Sequence, residues 1–394
     1  MTERLYYTEP YATTFEASVV RVAEHEGRPA AVLDRTAFYP TSGGQPHDTG
    51  QLGDARVIDV IDADGGTVLH VLDRSIAEGP VRGAIDWARR FDHMQQHTGQ
   101  HVLSAAFDHV AGARTESFHL GTVSATIDLA RDVSAAEVAR AEDEANRVVW
   151  EDRAVGIRFA DAEEAARLPL RKESVRSGTL RLIDVEGFDL SACGGTHVAR
   201  TGAIGIIAVA STERFRGGTR IEFVCGGRAL RSHRLLRDTV AASVRLVSVL
   251  PADLPAGIER LQAEAKDSKR RLKDLHGRLA AFEAAALADA AEARGPCRVV
   301  AQAVEGWDAN GLKSLASAIV ERPGHVAMLF SIPSPSSVVI ARASDVTLDC
   351  AVVLKALTAR FGGKGGGRPE LAQGGGLDGA PADLVSAARE QCPA

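Results

Sequence analysis

The sequence predicts an α+β protein built from several domains within 394 residues. Three observations support this prediction. Short β-branched stretches bounded by Gly, Asp or Pro fill the chain up to about residue 88. From Phe91 apolar residues recur at helical spacings between further strands, and after residue 295 strands alternate with helices. With ~150 residues per domain as a prior, two or three domains are expected.

Four segments follow from these changes of pattern. Residues 1–88 predict a small β-barrel or closed sheet, because stretches such as Thr67–Leu72 are short, apolar and separated by turn residues. Residues 89–227 predict an α+β domain. Residues 228–294 predict a helical hairpin or coiled coil, and residues 295–394 predict a small α/β domain.

The second segment contains two strong helices. The apolar spacing predicts a helix over residues 94–111 that ends at Gly112. A second helix over residues 134–150 begins at Ser134, with Glu137 three residues later as a capping box. The other predicted elements are strands at residues 115–121, 124–129, 180–185, 203–210 and 219–225, and a short helix at residues 159–168.

Two short motifs carry the strongest chemical signal. His97 and His101 are four residues apart, which places both imidazoles on one face of the predicted helix. Alone, this pattern is equally typical of a polar helix face. Cys193 and His197 repeat the spacing in a turn with two glycines, and the combined His/His/Cys/His set is typical of zinc. The sequence therefore predicts one Zn²⁺ held by His97, His101, Cys193 and His197.

A glycine-rich loop interrupts the strands of the first segment between Thr36 and Gly50. It contains two aromatic residues and several polar side chains, which is more than a connection needs. We therefore expect this loop to face a substrate. Its candidate residues are Gln45, His47 and Asp48.

Bulk properties exclude several classes of protein. A net charge of −6 excludes a globally basic nucleic-acid binder, so any RNA contact needs local patches. The N-terminus lacks the apolar core of a signal peptide, and no apolar run approaches the ~20 residues of a membrane span. The five cysteines are scattered and odd in number, unlike a disulfide framework. We expect a reduced, soluble, cytoplasmic protein.

The helical segment carries a heptad seam with alternating spacings of four and three. Its members are Leu261, Ala265, Ser268, Leu272, Leu275, Leu279, Phe282 and Ala286. The seam is typical either of a hairpin that packs on itself or of a dimer contact. We slightly favour the hairpin for the packing, and we also expect a homodimer through this segment and the C-terminal domain.

The last segment ends in a glycine-rich tract over residues 362–376. Alone, such a tract is typical of a flexible linker. Lys364 and Arg368 lie among its glycines, so that backbone amides and two cations can approach phosphates closely. No Lys-Ser/Thr pair follows, which distinguishes the tract from a Walker loop. We expect nucleic-acid contact here.

These motifs together resemble a known family. The block from Phe38 to Gly50, the His97-Thr-Gly-Gln-His101 motif and the Cys193-Gly-Gly-Thr-His197 motif are similar to the editing domain of alanyl-tRNA synthetase. They are also similar to the free-standing AlaX-type alanyl-tRNA editing proteins and, more distantly, to the editing domain of threonyl-tRNA synthetase. This resemblance runs from the N-terminus to about Gly227.

The C-terminal glycine-rich tract resembles the DHHA1 domain, which alanyl-tRNA synthetases share with the DHH phosphoesterases. We find no counterpart in this sequence of the aminoacylation domain or of the aspartate-rich DHH catalytic domain. The expected layout is therefore that of the long form of AlaX, an editing domain followed by a nucleic-acid-binding DHHA1-like domain, and not that of a synthetase.

The resemblance implies a trans-editing hydrolase that deacylates tRNA-Ala mischarged with serine, with glycine as a second candidate. Three roles of zinc stay open, namely polarising the ester carbonyl, activating water and holding the substrate amino group. Four protein ligands describe a closed site, so either Cys193 or His197 yields to water or substrate, or zinc organises the pocket. Gln45, with His47 and Asp48, is the candidate for orienting water or the terminal ribose.

Discrimination of serine from alanine needs a hydrogen bond to the serine hydroxyl, because an apolar pocket rejects little by size. Thr115 or Ser117 on the facing strand is the candidate for this bond. The candidate phosphate contacts are basic residues of several segments: Lys172, Arg176, Arg214, Arg216, Arg220, Lys364 and Arg368.

Two other classes of function stay open. A non-catalytic tRNA-binding or chaperone module would keep the basic and glycine-rich elements but could lose the metal set, so the complete His/His/Cys/His set argues against it. A zinc hydrolase that acts on another ester or on peptides would carry a Glu in the metal helix, as in H-E-x-x-H. Residues 98–100 are Thr-Gly-Gln, which disfavours that class.

Overall fold

The computed structural model describes residues 1–171, 178–332 and 334–392. The chain divides into two compact units, Met1–Ala242 and Ser243–Ala394. Lys172 and Arg176, two of the predicted phosphate contacts, lie outside the described residues. Among the residues described, no single helix is long and apolar enough to cross a membrane, although Gly226–Val247 and Pro251–Asp289 taken together reach that length and composition.

The first unit begins with short strands separated by turns. They are β1 (Glu3–Arg4), β2 (Thr14–His25), β3 (Arg28–Leu33), β4 (Arg35–Thr36), β5 (Gly50–Leu52), β6 (Ala55–Ala63), β7 (Thr67–Leu72) and β8 (Gly79–Ile85). Six of them form an antiparallel sheet in the order β2-β3-β7-β6-β5-β8, and β8 pairs again with β2. The sheet is therefore closed. Apolar side chains such as Val19, Leu33 and Val60 pack into one buried cluster.

The rest of the first unit is the α+β part. Its elements are α1 (Trp87–Ala111), β9 (Thr115–Leu120), β10 (Ala125–Leu129), α2 (Ala135–Trp150), β11 (Val155–Ala160), α3 (Ala162–Arg167), β12 (Leu180–Val185), β13 (Asp189–Ala192), β14 (Ile207–Phe215), β15 (Gly218–Cys225) and α4 (Gly226–Val247). A four-stranded sheet has the order β14-β15-β10-β9, and a second sheet has the order β11-β12-β13. The first sheet and helices α1 and α2 share one core, with Phe107, Val148 and Phe223 fully buried.

Helix α1 ends where the sequence predicts, at Gly112, whose φ of 58° lies in the left-handed region that favours glycine. Its start differs from the prediction. The helix begins at Trp87, and the Asp86 side chain caps it by accepting a hydrogen bond from the Arg89 backbone N–H. The first turn is rich in arginine, so the apolar periodicity alone does not detect it.

Three smaller elements test the predictions. The capping box at Ser134 is confirmed. The predicted helix at residues 159–168 is too long, because Phe159 and Ala160 pair in β11 and only Ala162–Arg167 is helical. The predicted strand at residues 203–210 begins too early, since Thr201–Ile204 is a 3₁₀ turn and the strand starts at Ile207.

The second unit is a mixed sheet with helices on both faces. Its elements are α5 (Leu254–Asp289), β16 (Glu292–Arg294), β17 (Cys297–Val304), α6 (Ala309–Ile319), β18 (His325–Ser331), β19 (Ser336–Arg342), α7 (Cys350–Phe361), β20 (Lys364–Arg368), β21 (Leu371–Leu377) and α8 (Pro381–Glu390). The strand order is β16-β17-β18-β19-β21-β20. Side chains alternate along β18, so Leu329 packs towards α5 and α6 while Met328 and Phe330 pack towards α7 and α8.

The heptad seam of α5 is not the face that packs in its own unit. A stripe of small residues, Ala280, Ala284 and Ala288, is buried against the neighbouring helix α6 and the sheet. The seam residues Leu272 and Leu275 are each 55% exposed. The dimer contact predicted for this seam stays a prediction.

The glycine-rich tract is not a linker in this structure, because its residues form the antiparallel hairpin of β20 and β21. Glycines are needed where the two backbones and α7 lie close together. A Cβ added to Gly367 would lie 2.3 Å from the Ala372 Cα, whereas a Cβ on Gly366 would meet nothing within 4 Å. Lys364 and Arg368 are both exposed, and their four-residue spacing places them on the same face of the edge strand β20.

This difference between neighbouring glycines gives a matched test. Gly367→Ala forces the hairpin apart and should lower the free energy of unfolding by about 1–3 kcal/mol. Gly366→Ala adds a methyl group into open space and should change it by less than about 1 kcal/mol. Urea-unfolding midpoints of the two variants and the unaltered chain measure both effects. Equal midpoints for the two variants would contradict this account of the hairpin.

Candidate metal centre

The four residues of the predicted metal set come together in the first unit. His97 and His101 lie one turn apart on α1, while Cys193 and His197 lie in the turn that follows β13. One donor atom from each residue lies within 4.8 Å of the other three. The three histidines are buried, and Cys193 is partly exposed.

The inner contacts are between the Cys193 Sγ and the imidazole Nε2 atoms. Sγ lies 3.3 Å from the Nε2 of His97 and 3.3 Å from the Nε2 of His197. The Gly195 backbone N–H also points to Sγ at 3.4 Å. A thiolate and an imidazole bound to one tetrahedral zinc are separated by roughly 3.5 Å, so the donors fit a single ion of this size.

Each histidine is oriented from its other ring nitrogen. The Nδ1–H of His101 donates to the Asp189 carboxylate at 3.0 Å. The Nδ1–H of His197 donates to the Thr98 hydroxyl at 3.2 Å, and that hydroxyl donates in turn to the Met94 carbonyl. These bonds orient the rings so that their Nε2 atoms are directed inwards. Partners of this kind fix the tautomer and ring orientation of metal-binding histidines.

Gln45 is the partner of the third histidine and joins three parts of the unit. Its Oε1 accepts from the His97 Nδ1–H at 2.8 Å and from the Thr196 N–H at 3.0 Å. Its Nε2 donates to the Thr196 hydroxyl at 2.9 Å. The side chain is fully buried, so the glycine-rich loop holds both α1 and the Cys193 turn.

The electrostatics of the cluster favour the thiolate. Burial opposes ionisation of Cys193, yet the neighbouring imidazoles of His97 and His197 bring the pKa of its thiol well below the usual value. Burial and the nearby His97 lower the pKa of His197 to about 3. The thiolate is the form of cysteine that binds metal ions, and neutral imidazole is the matching form of histidine.

His101 differs because it has an anionic partner. Burial alone would lower its pKa, but the hydrogen bonds to Asp189 and Cys193 raise it to about 9. Burial raises the pKa of Asp189, yet His101 and Arg171 together bring it to about 2. Asp189 is therefore an ionised carboxylate that orients His101 through its Nδ1 atom. Arg171 donates to the other oxygen of Asp189 at 2.6 Å.

The two glycines of the Cys193 turn have different surroundings. A Cβ added to Gly195 would lie 2.1 Å from the Cε1 of His97 and 2.9 Å from the Oε1 of Gln45. A Cβ on Gly194 would meet only the Tyr7 ring, at 3.6 Å or more. The close approach of the turn to α1 therefore requires glycine at position 195.

The other loop candidates occupy different places. Asp48 and Arg90 form a fully buried ion pair, and the Asp48 carboxylate also accepts from the Tyr39 N–H at 2.7 Å. Asp48 thus ties the loop to α1, and its predicted role in positioning a substrate stays a prediction. His47 is partly exposed and lies 3.0 Å from the Asp59 carboxylate. Phe38 and Tyr39, the two aromatic residues of the loop, are buried in the unit.

The two hydroxyls proposed for amino-acid discrimination differ in setting. The Thr115 hydroxyl, partly buried on β9, donates to the Ser104 Oγ of α1 at 2.9 Å. Gln100, which directly precedes His101, donates to the same Ser104 oxygen at 2.9 Å. Ser117 is exposed and donates to the Asp128 carboxylate at 2.5 Å. Thr115 is therefore hydrogen-bonded to side chains of α1, the helix that carries His97 and His101, and Ser117 is not.

The candidate phosphate contacts of this unit are partly engaged within it. Arg220 pairs with both oxygens of Asp128, at 2.7 and 3.1 Å, and lies over the Phe215 ring. Arg216 also lies near that ring, in the turn between β14 and β15. Arg214 is exposed at the end of β14, 3.9 Å from Asp132. Arg214 and Arg216 are thus less engaged within the unit than Arg220, and their contact with phosphate stays a prediction.

Several residues around the four candidate ligands are not predicted from the sequence. Thr98 and Gln100 lie between the two ligand histidines, and Asp189 precedes Cys193 by four residues. The Oε1 of Gln100 is buried without a hydrogen-bond partner among the described residues. Polar residues on a buried helix face between two ligands are a signal that the sequence does contain. The support given by Gln45 depends on the fold and is not visible in the sequence.

Comparison with known protein families gives two matches within the chain. Residues 180–222, which include Cys193 and His197, match the threonyl and alanyl tRNA synthetase second additional domain. Residues 297–392 match the DHHA1 domain.

Curated relatives match almost the whole chain. The alanine–tRNA ligase of Natronomonas pharaonis is 38% identical over 96% of this chain and 42% of its own length. That of Pyrococcus furiosus is 34% identical over 95% of this chain and 42% of its own length. The chain thus spans less than half the length of these relatives. These matches confirm the resemblance that the motifs predict.

A solved structure also matches part of the chain. It is the C-Ala domain from Aquifex aeolicus alanyl-tRNA synthetase, at 24% identity and a TM-score of 0.24. The match covers 26% of this chain and 96% of that domain.

The different space around Gly194 and Gly195 provides a test of the candidate metal centre. Gly195→Ala places a methyl group against His97, so the turn must move and zinc affinity should fall by more than about tenfold. Gly194→Ala adds an ordinary contact with Tyr7 and should leave the affinity unchanged. Zinc titration in competition with a chromophoric chelator measures both. Equal affinities for the two variants would contradict the requirement for glycine at position 195.

Proposed function

We propose that this chain, which has the domain content of an AlaX-like alanyl-tRNA editing protein with a DHHA1 domain, is a trans-editing hydrolase. Its substrate is tRNA-Ala that carries the wrong amino acid, chiefly serine and secondly glycine. The observation that carries this proposal is the convergence of four donor residues on one point: His97, His101, Cys193 and His197. Each imidazole also has a hydrogen-bond partner at its Nδ1 atom.

The donor set suits Zn²⁺, which would supply electrophilic activation of the ester or of a water molecule when bound. The contribution of the chain is positioning. An aminoacyl ester is already activated, so holding it and a water molecule in the right place supplies much of the rate. Gln45, Thr98 and Asp189 keep the three imidazoles in one orientation, which reduces reorganisation during the reaction.

Access to the centre is proposed to be from the Cys193 side. Cys193 and Gly194 are partly exposed, whereas His97, His101 and His197 are buried. An aminoacyl group attached to a long RNA needs an open approach of this kind. Cys193 is also the ligand best placed to be exchanged or displaced, although a site in which zinc only organises the pocket agrees equally with four protein ligands.

The second unit is proposed to bind the RNA. Lys364 and Arg368 are exposed on one face of β20, and the intervening residues are glycines that leave the backbone open to a phosphate. The net charge of −6 means that this contact has to be local. The unit therefore contributes affinity, and the chemistry belongs to the first unit.

One alternative has an observation in its favour. A non-catalytic tRNA-binding module with a structural zinc would also show four protein ligands, which is the usual number in structural sites. The two functions differ in one result, because a binding module does not accelerate deacylation.

The proposal is tested by deacylation of Ser-tRNA-Ala, with Ala-tRNA-Ala and Ser-tRNA-Ser as controls. The zinc-loaded chain should release serine from tRNA-Ala and leave both controls intact. Cys193→Ala removes one metal ligand and should lose both bound zinc and at least about 10²-fold in rate. Zinc content by elemental analysis accompanies each rate. A fully zinc-loaded chain that binds tRNA-Ala but does not release serine would favour the binding module.

Amino-acid discrimination gives a second, matched test. The oxygen of Thr115 keeps lone pairs that can accept a hydrogen bond from the serine hydroxyl. Thr115→Val should therefore reduce kcat/KM for Ser-tRNA-Ala about tenfold, because a good hydrogen bond contributes about 1.4 kcal/mol. Ser117→Ala, on the exposed part of the same strand, should leave it unchanged. The opposite ranking of these two variants would assign discrimination to Ser117.

A further inference from the structure

Arg181 is a buried arginine whose role the metal set does not explain. It lies on β12 and is only 8% exposed. Among the residues that the structure describes, no carboxylate pairs with its guanidinium, and its Nη2 is buried without a hydrogen-bond partner. Burying a charge without a carboxylate is costly, so the contacts that Arg181 does make need an explanation.

The guanidinium lies over the Tyr7 ring, and its hydrogen bonds are with backbone carbonyls of two segments. The Nη1 of Arg181 donates to the Cys193 carbonyl at 2.7 Å and to the Gly195 carbonyl at 2.9 Å. Its Nε donates to the Tyr7 carbonyl at 2.9 Å. The Arg181 carbonyl accepts in turn from the Cys193 N–H at 3.0 Å. One residue therefore holds the metal-binding turn through three hydrogen bonds and anchors it to the N-terminal segment.

These bonds decide which way the turn faces. The carbonyls of Cys193 and Gly195 are directed to Arg181, while the Gly195 N–H points to the Cys193 Sγ at 3.4 Å. Without the guanidinium, both carbonyls would lack these partners in a largely buried place and would rotate to find others. Since Gly195 is already in close contact with His97, a rotated turn has no room to keep Sγ in position.

We propose that Arg181 is a positioning residue that sets the metal affinity of the centre. It acts through the Cys193 turn and does not touch the reacting atoms. The inference rests on the zinc site of the proposed function and adds a residue that the four ligands and their imidazole partners do not include. This role needs the forked arrangement of N–H donors in the guanidinium. A single donor group cannot reach the carbonyls of Tyr7, Cys193 and Gly195 in the same geometry.

Arg153 offers a matched control in the same unit. Its Nη1 likewise donates to two loop carbonyls, those of Glu186 at 3.0 Å and Gly187 at 3.2 Å. Unlike Arg181, it is paired with a carboxylate, that of Glu151, and neither loop carbonyl belongs to the metal-binding turn. Replacing Arg153 therefore removes a similar set of bonds without changing the Cys193 turn.

The experiment measures metal binding and not turnover. The full chain is stripped of metal and titrated with Zn²⁺ in competition with a chromophoric chelator. Arg181→Lys and Arg181→Met should each bind zinc about 10–100-fold more weakly than the unaltered chain, which is the usual loss when a supporting residue of a metal site is removed. Arg153→Lys should bind as the unaltered chain does. In the Co²⁺-loaded proteins, the thiolate-to-metal charge-transfer band should weaken only in the Arg181 variants.

Other outcomes would overturn the inference. Arg181→Lys with unchanged affinity would show that the fork is not needed. Equal losses in the Arg181 and Arg153 variants would indicate general destabilisation, as would failure of both Arg181 variants to fold when Arg153→Lys folds. A wild-type chain that binds no zinc would overturn this inference together with the metal part of the proposed function. Weakened zinc binding in the Arg181 variants with no deacylation by the wild type would support the inference and overturn only the hydrolase.

Discussion

The orientation of three buried imidazoles is the constraint on which the first unit depends. A metal centre of this kind needs every Nε2 directed at one point, and a free histidine ring can turn away from it. Here each ring is held at Nδ1 by a separate partner, Gln45, Asp189 or Thr98. These partners come from the glycine-rich loop, β13 and α1, so the fold as a whole determines the geometry of the site.

The close approach of separate backbones is the second requirement. The Cys193 turn reaches α1 because residue 195 has no side chain, and the β20–β21 hairpin closes because residues 365 and 367 have none. In both places a neighbouring glycine, 194 or 366, has ordinary space around it. Glycine-rich motifs in this chain therefore contain positions where glycine is obligatory and positions where it is not.

The sequence predicts what is local and fails where a partner is distant. His97 with His101, and Cys193 with His197, are recognisable because each pair lies within one turn of chain. The bond between Gln45 and His97 joins residues 52 positions apart and depends on the closed sheet lying against α1. No periodicity encodes such a bond. The glycine-rich loop, expected to face a substrate, also joins the sheet to α1 and to the Cys193 turn through Gln45 and Asp48.

The boundaries of elements show the same limit. Helix α1 begins at Trp87, and its first turn is rich in arginine and has no apolar pattern. Asp86, the residue directly before Trp87, is the N-cap of the helix. The glycine-rich tract near the C-terminus has the composition of a linker, yet its pairing with β19 and its contact with α7 make it part of a sheet. Tertiary packing decides both cases, and composition alone does not reveal it.

The central claim is that His97, His101, Cys193 and His197 bind one zinc ion. X-ray absorption at the zinc edge of the full chain tests it most directly, because it counts the sulfur and nitrogen atoms around the metal. One sulfur at about 2.3 Å with three nitrogens at about 2.0–2.1 Å is the predicted result. A shell without sulfur, or a chain that retains no zinc, would contradict the account.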